Sequence, residues 1–245
     1  MTDNVLNVVL GLIATGISAG LGWLAQTVRR RRRLGRMQDF FGMPAGAECL
    51  LVVNRKAGGG NTDAVARRDA YALMELAALV RECGARAEIA AHDEIRQGLG
   101  SKAEFCIGGP SSNARAAAHV ASWLPGVDFT AAGEPRAPLT LVVGEREFPY
   151  TSPESPTYVL LARLHASPGT RPVFLIAGQT ATSNHAAVRY LAAHHRSLAR
   201  RHGTGATFAL VLKVVNAEAY GPDVVEFEAD VTGAATTARP VPVAA

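Results

Sequence analysis

The chain has 245 residues, 48% of them hydrophobic, and a formal net charge of +4. Six arginines near the N-terminus account for the positive charge, so the remaining ~200 residues, enough for one domain with a sizeable core, give no indication of a nucleic-acid ligand. The three cysteines form no CxxC pair and no histidine spacing typical of zinc, which excludes a disulfide framework and a metal site of that kind.

The first segment has the pattern of a membrane anchor. Residues 5–28 carry no charged side chain, and five arginines, Arg29 to Arg33, follow directly. About 20 apolar residues span a bilayer as a helix, and a basic block tends to stay in the cytoplasm. We therefore predict a single-pass transmembrane helix over 4–28, in the inner membrane, with the N-terminus outside. The rival is a cleaved signal peptide, but its positive charge would precede the apolar stretch and the stretch would be shorter.

Two partners follow from this anchor. The arginines 29–33 should contact anionic lipid headgroups. Gly16 and Gly20 form a small-xxx-small step, which either lets two membrane helices pack closely as a homo-oligomer or reflects the ordinary glycine content of such helices. No nucleic-acid partner is expected, because the basic run adjoins the span.

After a basic juxtamembrane linker at 29–46, residues 47–231 predict a cytoplasmic α/β domain. The apolar run 49–54 reads as a buried strand, and a glycine-rich loop leads from it into a helix that ends near Cys83. Further short strands, over 87–91 and 104–107, and a helix up to Leu124 continue the alternation. Strands that alternate with helices indicate parallel βαβ units.

The middle of the domain has a different pattern. Residues 139–143 and 146–150, joined by Gly144-Glu145, predict a hairpin, and 158–165 predict another strand with no helix between. We expect an antiparallel insertion at about 133–166, or a mixed edge of the sheet. A strand over 173–177, a long helix capped by Thr182 or Ser183, and two closing strands follow. The segment 232–245 is expected to be a disordered tail.

Two segments, 105–120 and 175–191, share a pattern: an apolar strand, a glycine, a short turn, Ser-Asn and an alanine-rich helix. Such a loop places backbone N–H groups and a hydroxyl at a helix N-terminus, where anions bind. Ligands of open α/β sheets bind at the carboxyl ends of the strands. The alternative is ordinary turn and N-cap chemistry. The predicted ligand-binding residues are Gly108, Gly109, Ser112, Asn113, Gly178, Ser183 and Asn184.

Catalytic candidates are few. Asp93 and Glu94 follow the second strand and could present a carboxylate to a ligand, although a solvated loop, or Asp93 as the cap of a short helix over 94–99, is the favoured explanation. No nucleophile elbow, no HExxH pair and no dinucleotide or P-loop fingerprint is present in the sequence. No metal is predicted, and the sequence does not identify a cofactor.

The segment Gly108-Gly109-Pro110 with Asn113, behind a membrane anchor, resembles Rossmann-like domains of bacterial signalling and conflict systems, such as deoxyribosyltransferase-like, TIR-like and SLOG-like modules. The resemblance covers 49–124 and 173–201. It implies a domain that binds or cleaves nucleotides. A deoxyribosyltransferase or TIR site needs a glutamate, for which Glu94 is the candidate.

Three functions remain open from the sequence. The first is a membrane-anchored module that binds a small phosphorylated or nucleotide-like ligand. The second is a hydrolase or transferase acting on a nucleotide or glycoside. The third is a non-catalytic membrane scaffold whose glycine loops are turns.

Overall fold

The computed structural model of the chain describes residues 2–55, 64–131, 139–152 and 154–239, and of residues 2–18 it describes the backbone alone. The elements in chain order are α1 (Thr2–Phe41), β1 (Glu48–Val53), α2 (Arg67–Glu82), β2 (Arg86–Ala91), β3 (Ala103–Ile107), α3 (Ala114–Trp123), β4 (Val127–Ala131), β5 (Leu139–Val143), β6 (Arg146–Pro149), β7 (Thr157–Leu164), β8 (Val173–Gly178), α4 (Ala181–His202), β9 (Phe208–Val214), α5 (Ala217–Tyr220), β10 (Val225–Asp230) and α6 (Thr232–Thr236).

The described strands form a seven-stranded mixed sheet in the order β10-β9-β7-β8-β3-β1-β2. The half made of β2, β1, β3 and β8 is parallel, whereas β7 runs antiparallel to both β8 and β9, and β10 runs antiparallel to β9. The predicted mixed α/β fold is confirmed. The parallel half places the carboxyl ends of β1, β3 and β8 at one edge of the sheet.

The five central strands, from β9 to β1, are buried on both faces of the sheet, whereas the edge strands β2 and β10 are largely exposed. Residues of α1, α2 and α4 pack on one face, and residues of α3, α6 and strands β4 to β6 pack on the other. Strands that are buried on both faces have continuous apolar sequences instead of alternating ones. This explains why β1, β3 and β8 are recognisable in the sequence as short apolar runs.

The predicted hairpin is confirmed, but the insertion at 133–166 needs correction. Strands β4, β5 and β6 form a separate three-stranded antiparallel sheet, with Gly144 at φ +60° in the β5–β6 turn. Strand β7 instead joins the main sheet between β8 and β9. Its sequence YVLLAR is apolar on both faces except for Arg163, so an interior place buries it fully, whereas an edge would not.

Helix α1 continues through most of the predicted linker. It ends at Phe41, and Met37, Phe40, Phe41 and Met43 are buried in the core. Residues 37, 40 and 41 lie on one helix face by their spacing, which turns the last turns of α1 into a packing element of the domain. The folded domain therefore begins near Met37 and not at 47.

The predicted span 4–28 lies largely in residues whose side chains fall outside the described part of the chain. Within that part, no helix is both long enough and apolar enough to cross a membrane. At the other end, the predicted disordered tail is corrected for 232–236, because α6 buries Ala235 against the small sheet. Residues 240–245 lie outside the described residues.

Candidate functional site at the carboxyl edge

The carboxyl ends of β1 and β3 meet where the chain changes direction across the sheet. From β1 the chain passes through α2 to β2 on the outer side, whereas β3 leads towards β8 on the other side, and α2 and α3 lie on opposite faces. Such a switch point leaves a crevice between the two strand ends, and open α/β sheets bind ligands there.

The predicted glycine loops after β3 and β8 lie side by side at this edge. A Cβ on Gly109 would lie 3.6 Å from the carbonyl oxygen of Gly178. The N–H of Gly108 donates to Ile176 O at 2.9 Å, and the N–H of Gly178 donates to Asn184 Oδ1 at 2.8 Å. These two donors are therefore used within the fold, while the N–H of Gly109 has no hydrogen-bond partner among the described residues.

Asn54, the residue after β1, lies against the β3 loop. Its Nδ2 donates to Ser112 Oγ at 2.8 Å, and Ser112 Oγ contacts Gly109 O at 3.3 Å. Gly108 has φ +115°, and a Cβ there would lie 2.3 Å from both amide atoms of Asn54. The Oδ1 atom of Asn54 is buried without a partner in the described part of the chain, which leaves an acceptor at the switch point.

The side chain of Asn113 caps the N-terminus of α3. Its Oδ1 accepts from Ala116 N at 3.0 Å and its Nδ2 donates to Ile107 O at 2.9 Å, while only 1% of its surface is exposed. The side chain is thus an N-cap that also ties α3 to β3. Ser112 is exposed beside it. A direct contact of Asn113 with a ligand stays a prediction, and Ser112 is the better-placed hydroxyl.

The start of α4 differs from the predicted cap. Thr180 is the N-cap, and it forms a capping box with Ser183, in which Thr180 Oγ1 accepts from Ser183 N at 3.1 Å and Ser183 Oγ accepts from Thr180 N at 3.0 Å. Asn184 bridges two elements, since it accepts from Gly178 and donates to Asp69 Oδ1 at 3.2 Å. Both Ser183 and Asn184 are buried, so their observed role is to hold the loop after β8.

Asp69 was not predicted as a site residue. It lies in the first turn of α2, only 4% exposed. Burial raises the pKa of its carboxyl, which the hydrogen bond from Asn184 and the charge of His185 only partly offset. An acidic residue in the first helical turn usually indicates a favourable interaction with the helix dipole. Because this common role explains Asp69 in the sequence, its burial could not be predicted.

Asp93 and Glu94 lie after β2, on the outer side of the same edge. Arg55, at the end of β1, binds both: its Nε lies 3.0 Å from Asp93 Oδ1 and its Nη2 lies 2.5 Å from Glu94 Oε1. Hydrogen bonding with Arg55 lowers the pKa of Asp93, so this carboxylate is ionised at neutral pH. A cavity of about 190 Å³ opens between Asn54, Arg55 and Glu94.

One group of possible metal ligands lies away from this edge. Glu104, Cys106 and His119 have donor atoms within 4.8 Å of one another, and all three are buried. Both oxygens of Glu104 bind Arg115, at 2.7 and 2.6 Å, and His119 Nε2 donates to Oε1 at 2.8 Å. Burial raises the pKa of the Cys106 thiol well above its usual value. A carboxylate already neutralised by arginine and a protonated thiol make a buried ion-pair network, which is a poor cation site.

Comparisons of the chain with protein-family models, with curated proteins and with solved structures found no match. The assignment of a function therefore depends on the chemistry of the site.

Proposed function

We propose that this chain is a membrane-tethered module whose Rossmann-like domain binds a small phosphorylated or nucleotide-like ligand at the carboxyl edge, between the ends of β1 and β3. The observation that carries the proposal is the glycine at position 108. Its φ of +115° and its missing Cβ let the Asn54 amide pack directly on the β3 loop, which brings the end of β1, with Arg55, beside the exposed Ser112 at the switch point.

The groups around Gly108 suit an anion. The N–H of Gly109, which has no hydrogen-bond partner among the described residues, favours negative charge. So do the hydroxyl of the exposed Ser112 and the N-terminus of the ten-residue helix α3. The Oδ1 atom of Asn54, which is buried and has no partner in the described part of the chain, is an acceptor of the kind that pairs with a ribose hydroxyl or an amino group of a base. Together they match the two ends of a nucleotide-like molecule.

Arg55 supplies the charge for a phosphate. It is paired with Asp93 and Glu94, whose side chains are 51% and 57% exposed. An exposed ion pair contributes only about 0–1 kcal/mol, whereas a guanidinium binds phosphate through two parallel hydrogen bonds. We expect Arg55 to exchange these two carboxylates for a phosphate of the ligand.

The tether rests on the sequence 4–28 and on the described end of that segment. Leu21, Trp23 and Leu24 are 62%, 69% and 53% exposed on α1. Large apolar side chains that stay exposed in a row on one helix are expected to be covered by lipid or by another helix. We propose a single pass through the inner membrane with the domain in the cytoplasm, and self-association through the Gly16–Gly20 face.

Ligand binding is tested with the full chain in detergent. Thermal unfolding is recorded against nucleotides, dinucleotides, cyclic nucleotides and sugar phosphates, because a ligand of the native state raises the Tm by mass action. Arg55→Gln should weaken the binding of any stabilising ligand roughly tenfold or more, the effect of a lost charged hydrogen bond. Arg96→Gln, at an exposed arginine with no ion pair among the described residues, is the matched control. If no compound raises the Tm, the ligand-binding function is contradicted and the non-catalytic scaffold is the remaining candidate.

The tether is tested by fractionation and labelling. The protein should stay in the membrane pellet after an alkaline wash and leave it with detergent. Because Cys49, Cys83 and Cys106 are all buried, an introduced cysteine dominates the labelling. An impermeant maleimide should label Thr2→Cys in intact cells and Arg96→Cys only after lysis. The opposite pattern would overturn the orientation.

An enzyme is the second candidate, favoured by Asp69. The raised pKa of this carboxyl makes it a better proton donor near neutral pH than Asp93, which Arg55 keeps ionised. It is linked to the loop after β8 through Asn184. Turnover of a bound nucleotide that is lost in Asp69→Asn, with binding retained, would establish this function. Binding without turnover in the wild type would favour the membrane-tethered binding module.

A further inference from the structure

Helix α1 and helix α4 enclose a groove lined by arginine side chains. Its walls come from Arg33, Arg36 and Met37 of α1 and from His195, Arg196, Ala199 and Arg200 of α4, with Thr204 at one end, and its volume is about 230 Å³. This set of residues is the arginine groove. It lies on the face of the domain from which α1 leads towards its N-terminal half, away from the carboxyl edge.

The charges of the arginine groove are not balanced within the fold. No carboxylate of the described residues lies within ion-pair distance of Arg33, Arg36, Arg196 or Arg200, although many other arginines of the domain have such a partner. Four like charges from two helices repel one another. An arrangement of this kind is stabilised when an anion enters between them.

The floor of the groove is apolar and fixed. Met37 is buried, and Phe40 and Phe41, one turn further along α1, contact the ring of His195 with centroids 6.5 and 5.6 Å apart. His195 is oriented by its Nδ1, which donates to Ala192 O at 2.8 Å. Packing of α1 on α4 therefore holds the two pairs of guanidinium groups at opposite walls of one groove.

The position of the groove along α1 matches the depth of lipid headgroups. The helix rises ~1.5 Å per residue, so Arg33 lies about 7.5 Å and Arg36 about 12 Å beyond Val28, the last residue of the predicted span. A headgroup layer extends ~5–8 Å from the hydrocarbon core. Arg33 would then lie in this layer, and the groove would open at its inner boundary.

We propose that the arginine groove binds the phosphate-bearing headgroup of an anionic phospholipid, and that Arg196 and Arg200 of the domain share it with Arg33 and Arg36 of the juxtamembrane helix. This inference rests on the proposed tether. Guanidinium groups bind phosphate oxygens in pairs, and Met37 and Ala199 offer an apolar surface to the glycerol end. The lining of the groove, four arginines beside Met37 and Ala199, suits a compact phosphate-bearing headgroup. A bound lipid would fix the orientation of the domain relative to the bilayer.

The test uses the full chain in nanodiscs of phosphatidylcholine alone and in nanodiscs that also contain phosphatidylglycerol. Thermal unfolding of the domain is followed by circular dichroism. Because a ligand of the native state raises the Tm, the anionic lipid should raise it by about 2–4 °C for the wild type. R196Q/R200Q should lose this rise. These two arginines are exposed and have no ion pair among the described residues, so the Tm in phosphatidylcholine should not fall, and the loss of repulsion in the groove should keep it equal or raise it slightly.

The matched control is R81Q/R96Q, which removes the same charge from exposed arginines outside the groove. It should keep the rise. An equal rise in R196Q/R200Q would assign the effect to the arginines 29–33 as a general basic surface and overturn the groove. An equal rise with millimolar inorganic phosphate in phosphatidylcholine nanodiscs would overturn the lipid source. No rise in the wild type would overturn the proposal itself.

Failure of the tether gives a different result. A protein without a membrane span would not elute with phosphatidylcholine nanodiscs, and the lipid proposal would then fail together with the tether. A protein that elutes with the nanodiscs but has the same Tm in both lipids keeps the tether and loses the headgroup site.

Discussion

Asn54 lies over Gly108 so closely that a Cβ at position 108 would be 2.3 Å from the amide nitrogen and oxygen of Asn54. The two residues follow β1 and β3, which are neighbours in the sheet although they are more than 50 positions apart in the chain. The glycine therefore has a steric reason as well as a conformational one. This contact defines the bottom of the proposed ligand site.

Gly108→Ala should destabilise the protein by about 1–3 kcal/mol, because the new methyl group displaces Asn54 and the residue keeps a φ of +115°. It should also abolish ligand stabilisation. Urea unfolding and thermal shifts measure the two effects. Gly109→Ala is the control, since its Cβ would have ordinary contact with Gly178 O at 3.6 Å. Equal effects of the two substitutions would contradict the steric account.

The buried network of Glu104, Arg115 and His119 should make stability depend on acid. Burial acts to raise the pKa of Glu104, but hydrogen bonds and charge from Arg115 and His119 outweigh it, and the pKa lies below its usual value of 4.5. A carboxyl with a lowered pKa in the fold contributes its full stability above pH 4.5 and loses it as the pH falls through the native pKa.

Glu104→Gln should therefore cost about 2–4 kcal/mol at pH 7, because Arg115, whose side chain is only 12% exposed, loses its carboxylate partner, and should flatten the loss of stability below pH 4.5. Urea unfolding at pH 7, 4 and 3 measures both. Glu88→Gln, in an exposed pair with Lys102, is the control and should change stability by about 1 kcal/mol or less. An acid profile that is the same for wild type and E104Q would refute this role.

Arg163 should tolerate an apolar substitution better than lysine. It is fully buried between the rings of Phe40 and Phe208, at 4.8 and 5.0 Å, and donates to Ala206 O and Gly203 O, and burial lowers its pKa to about 10. At neutral pH it stays charged, with no carboxylate partner among the described residues.

An apolar side chain of similar volume removes the desolvation cost of the buried charge together with its hydrogen bonds, whereas lysine keeps the charge and loses the planar fork that makes those bonds. Arg163→Met should stay within about 1–2 kcal/mol of the wild type, and Arg163→Lys should lose about 3 kcal/mol or more. Chemical unfolding of the two variants side by side decides the matter. A more stable lysine variant would mean that the charge itself stabilises the packing of α1.

Thr180→Ala should remove the capping box at the start of α4 and cost about 1 kcal/mol. Thr180→Ser keeps the hydroxyl and should stay within a few tenths of a kcal/mol. Denaturation curves of the two variants provide the measurement. A T180S variant as unstable as T180A would show that the methyl group of Thr180, and not its hydroxyl, is what matters.

The parallel half of the sheet could be predicted because β1, β3 and β8 are short apolar runs that alternate with helices. The place of β7 could not, since strand order depends on pairings between distant segments. The packing of α1 was also not predicted. The six arginines that precede Met37, Phe40 and Phe41 made this segment look like a basic linker, and the contact of Arg163 with the ring of Phe40 joins residues more than 100 positions apart.

The same limit applies to the site. The glycine loops were predicted from their local pattern, and they do lie together. Asn54 and Arg55 were missed, because the last residues of a strand gain importance only from the neighbouring strand end. Asn113, Ser183 and Asn184 were predicted to contact a ligand, yet the hydrogen bonds observed for their side chains hold loops and helix starts in place. Sequence alone cannot distinguish these roles, since a cap and a ligand contact use the same side chains.

The central claim is the location of the ligand, and hydrogen exchange of the full chain tests it most directly. Exchange is measured by mass spectrometry with and without the compound that gives the largest thermal shift. Our account predicts slower exchange in peptides that cover 54–55 and 108–114, and no change in 163–172 at the opposite edge. Protection confined to 163–172 or to the arginine groove, or no protection with a compound that raises the Tm, would contradict a site between β1 and β3.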